Sequence, residues 1–280
     1  LGRTIVGLHD KTAGEVAWRG EVLPARYRSA DFRRWARKIQ MIFQDPSSSL
    51  NERMTLRDLV AEGPLLHGMW RRSEVPARVG AWLERVGLSP DHMSRYPHEF
   101  SGGQRQRIGI ARALALEPEL VVCDEPISAL DVSVQAQVVN LLADLKATMG
   151  LTLLFIAHAL SMVRYVSDRT AVMYLGRIVE LGPADDVFFR PLHPYTRSLV
   201  ASNPEADPER ERHRVRGAPP GEIPSPVDLP PGCRFAGRCP FVAPVCRERD
   251  PELREVEPGR LAACHLLDPS SGHPGPGAAP

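Results

Sequence analysis

Three short apolar runs constrain this chain most: residues 39–43 (Ile-Gln-Met-Ile-Phe), 120–123 (Leu-Val-Val-Cys) and 151–157 (Leu-Thr-Leu-Leu-Phe-Ile-Ala). Runs this short and this nearly continuous suit strands buried on both faces, the condition of a parallel sheet. Parallel neighbours need a crossover helix, and the sequence supplies one: Val134, Val138, Leu141, Leu142, Leu145 and Met149 fall at helical spacing, with Gly150 placed to close the helix. Each run also ends on polar residues: Gln44, then Asp124 and Glu125, then His158. The carboxyl ends of strands in an open α/β sheet are where ligands bind, so these four side chains are expected on one working edge.

Residues 54–100 interrupt the strand pattern and read as a helical insertion, the helical subdomain spanning about 54–118. Val75, Val79, Trp82, Leu83 and Val86 form one apolar stripe, with Ser73 as the expected N-cap and Gly87 after it. Residues 170–175 and 178–181 around Gly176 read as a hairpin closing this first part. Nineteen of the 27 prolines fall at or after Pro183, which divides a regular first part, residues 1–185, from a turn-rich second part, residues 186–266. The stretch 202–231 is expected to have little regular structure, and residues 267–280 to form a disordered tail.

The balance of 35 basic and 34 acidic residues gives a net charge of +1, so no broad positive field recommends nucleic acid as a partner. The most apolar segment, 151–163, is thirteen residues and includes His158, short of the ~20 that span a bilayer. With no basic leader opening the chain, the cytosol is the expected compartment.

Ser101-Gly102-Gly103-Gln104 opens a helix-like run, and two glycines at a helix N-terminus leave backbone N–H groups exposed to an anion such as a phosphate. The bland alternative is a serine cap on a glycine turn; the two are compatible. Asp124 and Glu125, at the end of a buried strand, suit a Mg²⁺ ligand and a group that orients or deprotonates an attacking water. Further along, Cys233, Cys239, Cys246 and Cys264 lie within 32 residues of a segment with little apolar content of its own. Four thiolates suit zinc or an iron–sulfur cluster, with free thiols as the remaining alternative. Cys123, inside a strand, reads as packing.

Taken together, Phe43-Gln44-Asp45-Pro46, Ser101–Gln104, residues 120–125, Ser128-Ala129-Leu130-Asp131 and His158 resemble the Q-loop, signature, Walker B strand, D-loop and switch histidine of ABC transporter ATPases. The resemblance covers residues 1–182. It implies a P-loop NTPase-like α/β fold, ATP and Mg²⁺ as cofactors, catalytic roles for Glu125, His158 and Gln44, and nucleotide contacts by Ser101, Gly102, Gly103, Gln104, Asp124 and Asp131. Ser49-Leu50-Asn51, His193-Pro194-Tyr195-Thr196 and the cysteine-bearing tail narrow the resemblance to the subunits that power oligopeptide and dipeptide importers. That resemblance implies a second ATPase subunit paired head to tail, membrane permease subunits, an extracellular solute-binding protein at one remove, and a peripheral place on the cytoplasmic face of the inner membrane. It also favours a [4Fe-4S] cluster for the four tail cysteines.

Two features depart from the family pattern. Ala159 stands where an aspartate usually follows the histidine. None of the three lysines follows a glycine, and Leu1-Gly2-Arg3-Thr4 resembles the helix just beyond the family's phosphate-gripping loop, so that loop is absent from residues 1–280. Its N–H groups and lysine hold the β- and γ-phosphates, so the polypeptide alone is expected to bind ATP poorly. Two rival readings follow: an inert or truncated partner offering its signature in trans, and an ATPase of DNA repair. Only 56 residues separate Gln44 from Ser101, with no heptad array, which counts against the second.

Overall fold

The three apolar runs pair as one parallel sheet in the computed structural model, which describes residues 1–45, 49–202, 225 and 227–275. The chain divides into two compact units, residues 1–158 and 159–280. In the first unit, α1 (Gly2–Ile5), the short hairpin β1 (Ala17–Trp18) and β2 (Glu21–Val22), and α2 (Ser29–Trp35) precede β3 (Ile39–Ile42). Then come α3 (Leu56–Leu66), α4 (Val75–Arg85), α5 (Gly102–Leu114), β4 (Leu120–Asp124), α6 (Val132–Met149) and β5 (Thr152–Ile156).

The sheet order is β3-β4-β5, all parallel, in a register that sets Met41 beside Val122 and Val122 beside Leu154. Strand β4 is central and its Leu120, Val121, Val122 and Cys123 are all buried. Burial of each such valine contributes about 1.5–3 kcal/mol. β5 is an edge and its side chains are exposed or half-buried, short of the two-sided burial that its apolar run implies. Ile5, Leu23, Trp35, Ile39, Met41, Leu120 and Val122 form one cluster, with α1 laid on β4. Gly2 makes that approach possible, because a Cβ there would stand 2.9 Å from Val122 Cγ1.

The expected helical insertion is present. α4 buries Val75, Val79, Trp82 and Leu83, and ends where Gly87 turns into the left-handed region at φ 73°. Its N-cap position is Glu74 rather than Ser73, because residues 72–74 first wind into a 3-10 turn. α6 closes on Gly150 at φ 64°.

The second unit departs from its sequence reading in three ways. It contains α7 (Leu160–Val166), β6 (Arg169–Tyr174), β7 (Arg177–Pro183), α8 (Ala184–Phe189), α9 (Pro194–Ala201), α10 (Pro244–Glu248), β8 (Arg254–Glu257) and β9 (Arg260–Ala262). The β6–β7 hairpin does not close the first part. It belongs to an antiparallel sheet ordered β6-β7-β9-β8, so the division falls after His158 and not near residue 185. The physical reason is that β7 has an open edge, which β9 fills across some 80 residues of chain, with Glu180 beside Ala262 and Leu181 beside Leu261.

The cysteine-bearing part packs into a core supplied mainly by the β6–β7 hairpin. Val172, Tyr174, Val179, Val187 and Phe235 bury together, with the Tyr174 and Phe235 rings edge to face at 5.3 Å. Finally, residues 267–275 of the expected disordered tail are held in place. Ser271 is buried with its hydroxyl on the His265 carbonyl at 2.8 Å, and His273 Nε2 meets the Phe241 carbonyl at 2.8 Å. The remainder of that tail (276–280), residues 46–48 beside Gln44, and residues 203–224 and 226 of the expected irregular stretch lie outside the described residues. Among the described residues no helix is long and apolar enough to cross a membrane.

Candidate active site

The carboxyl ends of the three strands bring three of the expected residues into direct contact. Gln44 Nε2, after β3, donates to Glu125 Oε2 at 2.8 Å, and His158 Nε2, after β5, meets Glu125 Oε1 at 2.6 Å. One carboxylate is thereby held by two side chains from neighbouring strand ends. Glu125 lies one residue beyond β4 at φ 48°, in the left-handed region that residues with a Cβ seldom adopt. Its N–H donates to the Ile156 carbonyl at 2.9 Å, and its own carbonyl accepts from Ser128 N at 3.2 Å and Ser128 Oγ at 3.1 Å. Such backbone strain costs on the order of 1–3 kcal/mol and concentrates at functional sites.

The Glu125 side chain is 19% exposed and that of His158 85% exposed, so the group opens to solvent. A carboxylate oriented from both sides and reached by water can accept a proton from that water. Asp124, the last residue of β4, pairs through its backbone with Ile156 of β5, while its carboxylate takes part in no hydrogen bond or ion pair among the described residues and suits a hard cation. Cys123, next in line, takes no part: full burial pushes its thiol up to about 12.

Ser101, Gly102, Gly103 and Gln104 form a second face. Ser101 is the N-cap of α5 and shares a capping box with Gln104: Ser101 Oγ accepts from Gln104 N at 3.4 Å, and Gln104 Oε1 accepts from Ser101 N at 3.1 Å. The Gln104 side chain is spent on the cap. The first N–H groups of a helix have no partner within it, so those of Gly102 and Gly103 are available to an outside acceptor.

A Cβ on Gly103 would fall 2.4 Å from Val134 Cγ1, which shows how closely α5 lies on α6. Asp131, at the N-cap of α6, makes no side-chain cap bond, and Val132 beside it is 79% exposed. The structure thus gathers Gln44, Glu125 and His158 in one group and sets Ser101–Gln104 near Leu130–Val134 in another. No hydrogen bond among the described residues joins the two groups.

In the second unit, Cys233, Cys239, Cys246 and Cys264 line one cavity together with Phe235. The Cys233 N–H donates to the Cys246 carbonyl at 2.8 Å, an approach that Gly232 permits because a Cβ there would meet that oxygen at 2.4 Å. Burial pushes the Cys233 thiol up to about 11 and Cys264 to about 12, and raises Cys239; neighbouring thiols add to each rise, and a backbone hydrogen bond offsets part of it. Four thiolates packed this way need positive charge among them. Among the described residues no three metal-ligating side chains stand close enough to share one ion.

Sequence reading missed the network that holds this region. Glu180, fully buried on β7, accepts from Leu192 N and His193 N, each at 2.9 Å, and lies 3.5 Å from Arg260 Nη2 on β9. Arg260 also reaches the Arg190 carbonyl and, at 2.7 Å, Glu257. His193 caps α9 through Nδ1, which accepts from Tyr195 N at 3.0 Å, and burial, with a smaller push from Arg197, depresses its pKa to about 4. The period-two burial of β6 was a usable signal for a half-exposed sheet; nothing local marks Glu180 as paired to a residue 80 positions away.

Comparison with known proteins bears on the family and the fold. Residues 1–128 match the family model "ABC transporter", and residues 179–246 match "Oligopeptide/dipeptide transporter, C-terminal region". The chain is 55% identical over 267 residues to the putative oligopeptide transport ATP-binding protein YkfD of Bacillus subtilis, covering 95% of this chain and 81% of that protein. It is 52% identical over 271 residues to the oligopeptide transport ATP-binding protein OppF of Escherichia coli, covering 96% and 80%. Among solved structures, cbiO1 of Clostridium perfringens, part of the ABC transporter complex cbiONQ, superposes with a TM-score of 0.59 at 24% identity over 67% of this chain and 73% of that one, a likeness of fold. A dimeric ATP-binding cassette, MJ0796, bound to ADP and Pi, gives the same TM-score at 25% identity over 65% and 78%. By its identity to these relatives and the length over which it holds, the chain belongs to the ABC transporter ATPases, as an ATP-binding subunit of the oligopeptide importer type.

Proposed function

We propose that this chain energises the uptake of peptides by hydrolysing ATP, with Glu125 as the general base. The observation that carries the reading is the Glu125 carboxylate, held between Gln44 and His158 at the ends of three parallel strands, in a chain about half identical to oligopeptide transport ATP-binding proteins. Bound MgATP supplies the γ-phosphoryl group and the cation that spreads its charge. The chain's own residues do the rest: Asp124 offers its open carboxylate to the cation, Glu125 takes the proton of the attacking water, and Gln44 and His158 aim Glu125. Ser101, Gly102, Gly103 and Asp131 face a nucleotide held by a second ATPase subunit paired head to tail, and Gln104 fixes Ser101 for that contact.

Permease subunits complete the assembly and place the chain on the cytoplasmic face of the membrane, with a solute-binding protein delivering the peptide outside. Its relatives among oligopeptide transport ATP-binding proteins and the dimeric state of MJ0796 support this arrangement. The four cysteines would hold a [4Fe-4S] cluster, which when bound supplies a covalent staple for the second unit and a one-electron couple.

The test is the full-length subunit assembled with its partners in vesicles. Glu125→Gln should lower ATP turnover and peptide uptake by about 100-fold or more while MgATP still binds. Turnover within twofold of wild type would remove Glu125 from the mechanism. Anaerobic purification followed by iron and acid-labile sulfide analysis tests the cluster separately: about four of each per chain is expected, and zinc or no metal overturns it.

A further inference from the structure

One cavity of the first unit lies between the helix that carries the signature residues and the strand that leads to Gln44. Its volume is about 60 Å³, room for one or two waters at ~30 Å³ each. α5 lies on β3 and brings Gln106, Gly109, Arg112 and Ala113, spaced three and four apart, to the cavity wall. A Cβ on Gly109 would meet nothing within 4 Å, so that turn of the helix leaves the space unfilled. From β3 come Gln40, Met41, Ile42 and Phe43. Successive side chains of a strand point to opposite faces, so a space touched by four residues in a row meets the strand along its edge. β3 is an outer strand of its sheet, and the backbone groups on its far side have no ladder partner among the described residues. Two of the side chains at the wall have partners. Arg112 Nη1 donates to the Ser49 carbonyl at 2.5 Å, and Gln40 Nε2 donates to the Ala36 carbonyl. Gln106 differs: its Nε2 is buried without a hydrogen-bond partner among the described residues, in a residue 1% exposed. A buried donor left unmade destabilises a fold, and native proteins commonly satisfy such a group with bound water.

We propose that Gln106 Nε2 donates to water bound in this cavity, which in turn donates to edge carbonyls of β3, so that Gln106 is a positioning residue for Gln44. The inference rests on the roles given above to Gln44 and Glu125. A bound water needs two or more polar partners, and this site offers an amide donor on one wall and strand carbonyls outside the ladder on the other. The bridge ties the helix that opens at Ser101 to the strand that ends just before Gln44, whose Nε2 holds Glu125 at 2.8 Å. It stands where a ladder bond would hold an inner strand. The signature face and the Gln44–Glu125 pair are thereby kept in one register.

Gln106→Met is close in length and shape and has no donor, so the sign of its effect separates two cases. If Nε2 bonds to nothing, the substitution removes an unmet group and raises the melting midpoint; if Nε2 bonds to water, it breaks that bond and lowers the midpoint. In the full-length subunit Gln106→Met should melt about 2–4 °C below wild type. A midpoint at or above wild type overturns the bridge. Gln106→Asn keeps the donor on a side chain one carbon shorter, a gap that water can take up, and should recover most of the loss. An Asn variant no better than Met assigns the loss to packing and overturns the bridge as well. Diffraction from the wild-type subunit needs no variant to fold: it should place a water about 2.7–3.2 Å from Gln106 Nε2, and a dry cavity overturns the proposal. In the transporter assembled in vesicles, Gln106→Met should lower kcat about three- to tenfold with the KM for ATP within about twofold of wild type. An unmoved kcat beside a lowered midpoint makes Gln106 structural only and overturns its positioning role. If Glu125→Gln leaves turnover intact, the reading of Glu125 fails, while the midpoints and the diffraction still decide the bridge.

Discussion

At the scale of single residues, the two signature glycines are not equivalent. A Cβ on Gly102 would stand 3.7 Å from Leu130 Cδ2, ordinary contact, whereas one on Gly103 would stand 2.4 Å from Val134 Cγ1, closer than any real Cβ contact. Gly102→Ala should leave stability unchanged or raise it by a few tenths of a kcal/mol, since alanine is the better helix former. Gly103→Ala should cost about 1–3 kcal/mol, because α5 must lift off α6 or Val134 must leave its rotamer. Urea titrations of the two variants check this directly, and equal midpoints would refute the steric argument. These glycines were legible as a phosphate-facing pair in the sequence. Their division of labour was not, because it depends on Val134, thirty-one positions downstream, and on how two helices approach. Glu125 shows the same limit: its place after an apolar strand was readable, while its left-handed backbone and its two partners are properties of the folded turn.

At the scale of elements, the first unit was readable because each signal is local. Apolar runs made β3, β4 and β5, and the stripe from Val75 to Leu83 made α4. The cap of α5 is local in the same sense, and Ser101→Ala should cost about 1 kcal/mol of stability by freeing the Gln104 N–H. That loss should show as a lower denaturation midpoint; an unchanged midpoint would mean that water replaces the cap at no cost. The second unit was misread because its sheet is assembled from distant strands. β7 and β9 meet through Glu180 and Arg260, whose side chains are 1% and 3% exposed, and neither residue advertises the other in the sequence. Glu180→Gln leaves the Arg260 charge buried beside a neutral amide and weakens the hold on residues 192 and 193. It should cost about 3–5 kcal/mol, the usual consequence of breaking a buried pair from one side. If Glu180→Gln melts with wild type, the 2.7 Å bond to Glu257 is enough to satisfy Arg260.

At the scale of the whole molecule, function is divided between what these residues do and what they leave to others. In the proposed mechanism Glu125, held by Gln44 and His158, accepts the proton of the attacking water, and Ser101 to Gly103 face a phosphate bound elsewhere. Neither grips a nucleotide from its own side. The Gly-x-x-x-x-Gly-Lys pattern that cradles phosphates with backbone N–H groups does not occur within residues 1–280, and the chain matches about four-fifths of the length of its curated relatives. Without those N–H groups and that lysine, most of the charge-assisted hydrogen bonds to the β- and γ-phosphates are lost, and each contributes about 1.5–3 kcal/mol. A polypeptide of residues 1–280 by itself is therefore expected to bind ATP weakly and to show no turnover above background, however well Glu125 is oriented. Phosphate release from that polypeptide, measured with and without Glu125→Gln, decides the point. Equal background rates fit the division described here. Turnover that the substitution abolishes would mean that strand ends and a partner's signature face suffice, and that the phosphate loop adds affinity more than catalysis.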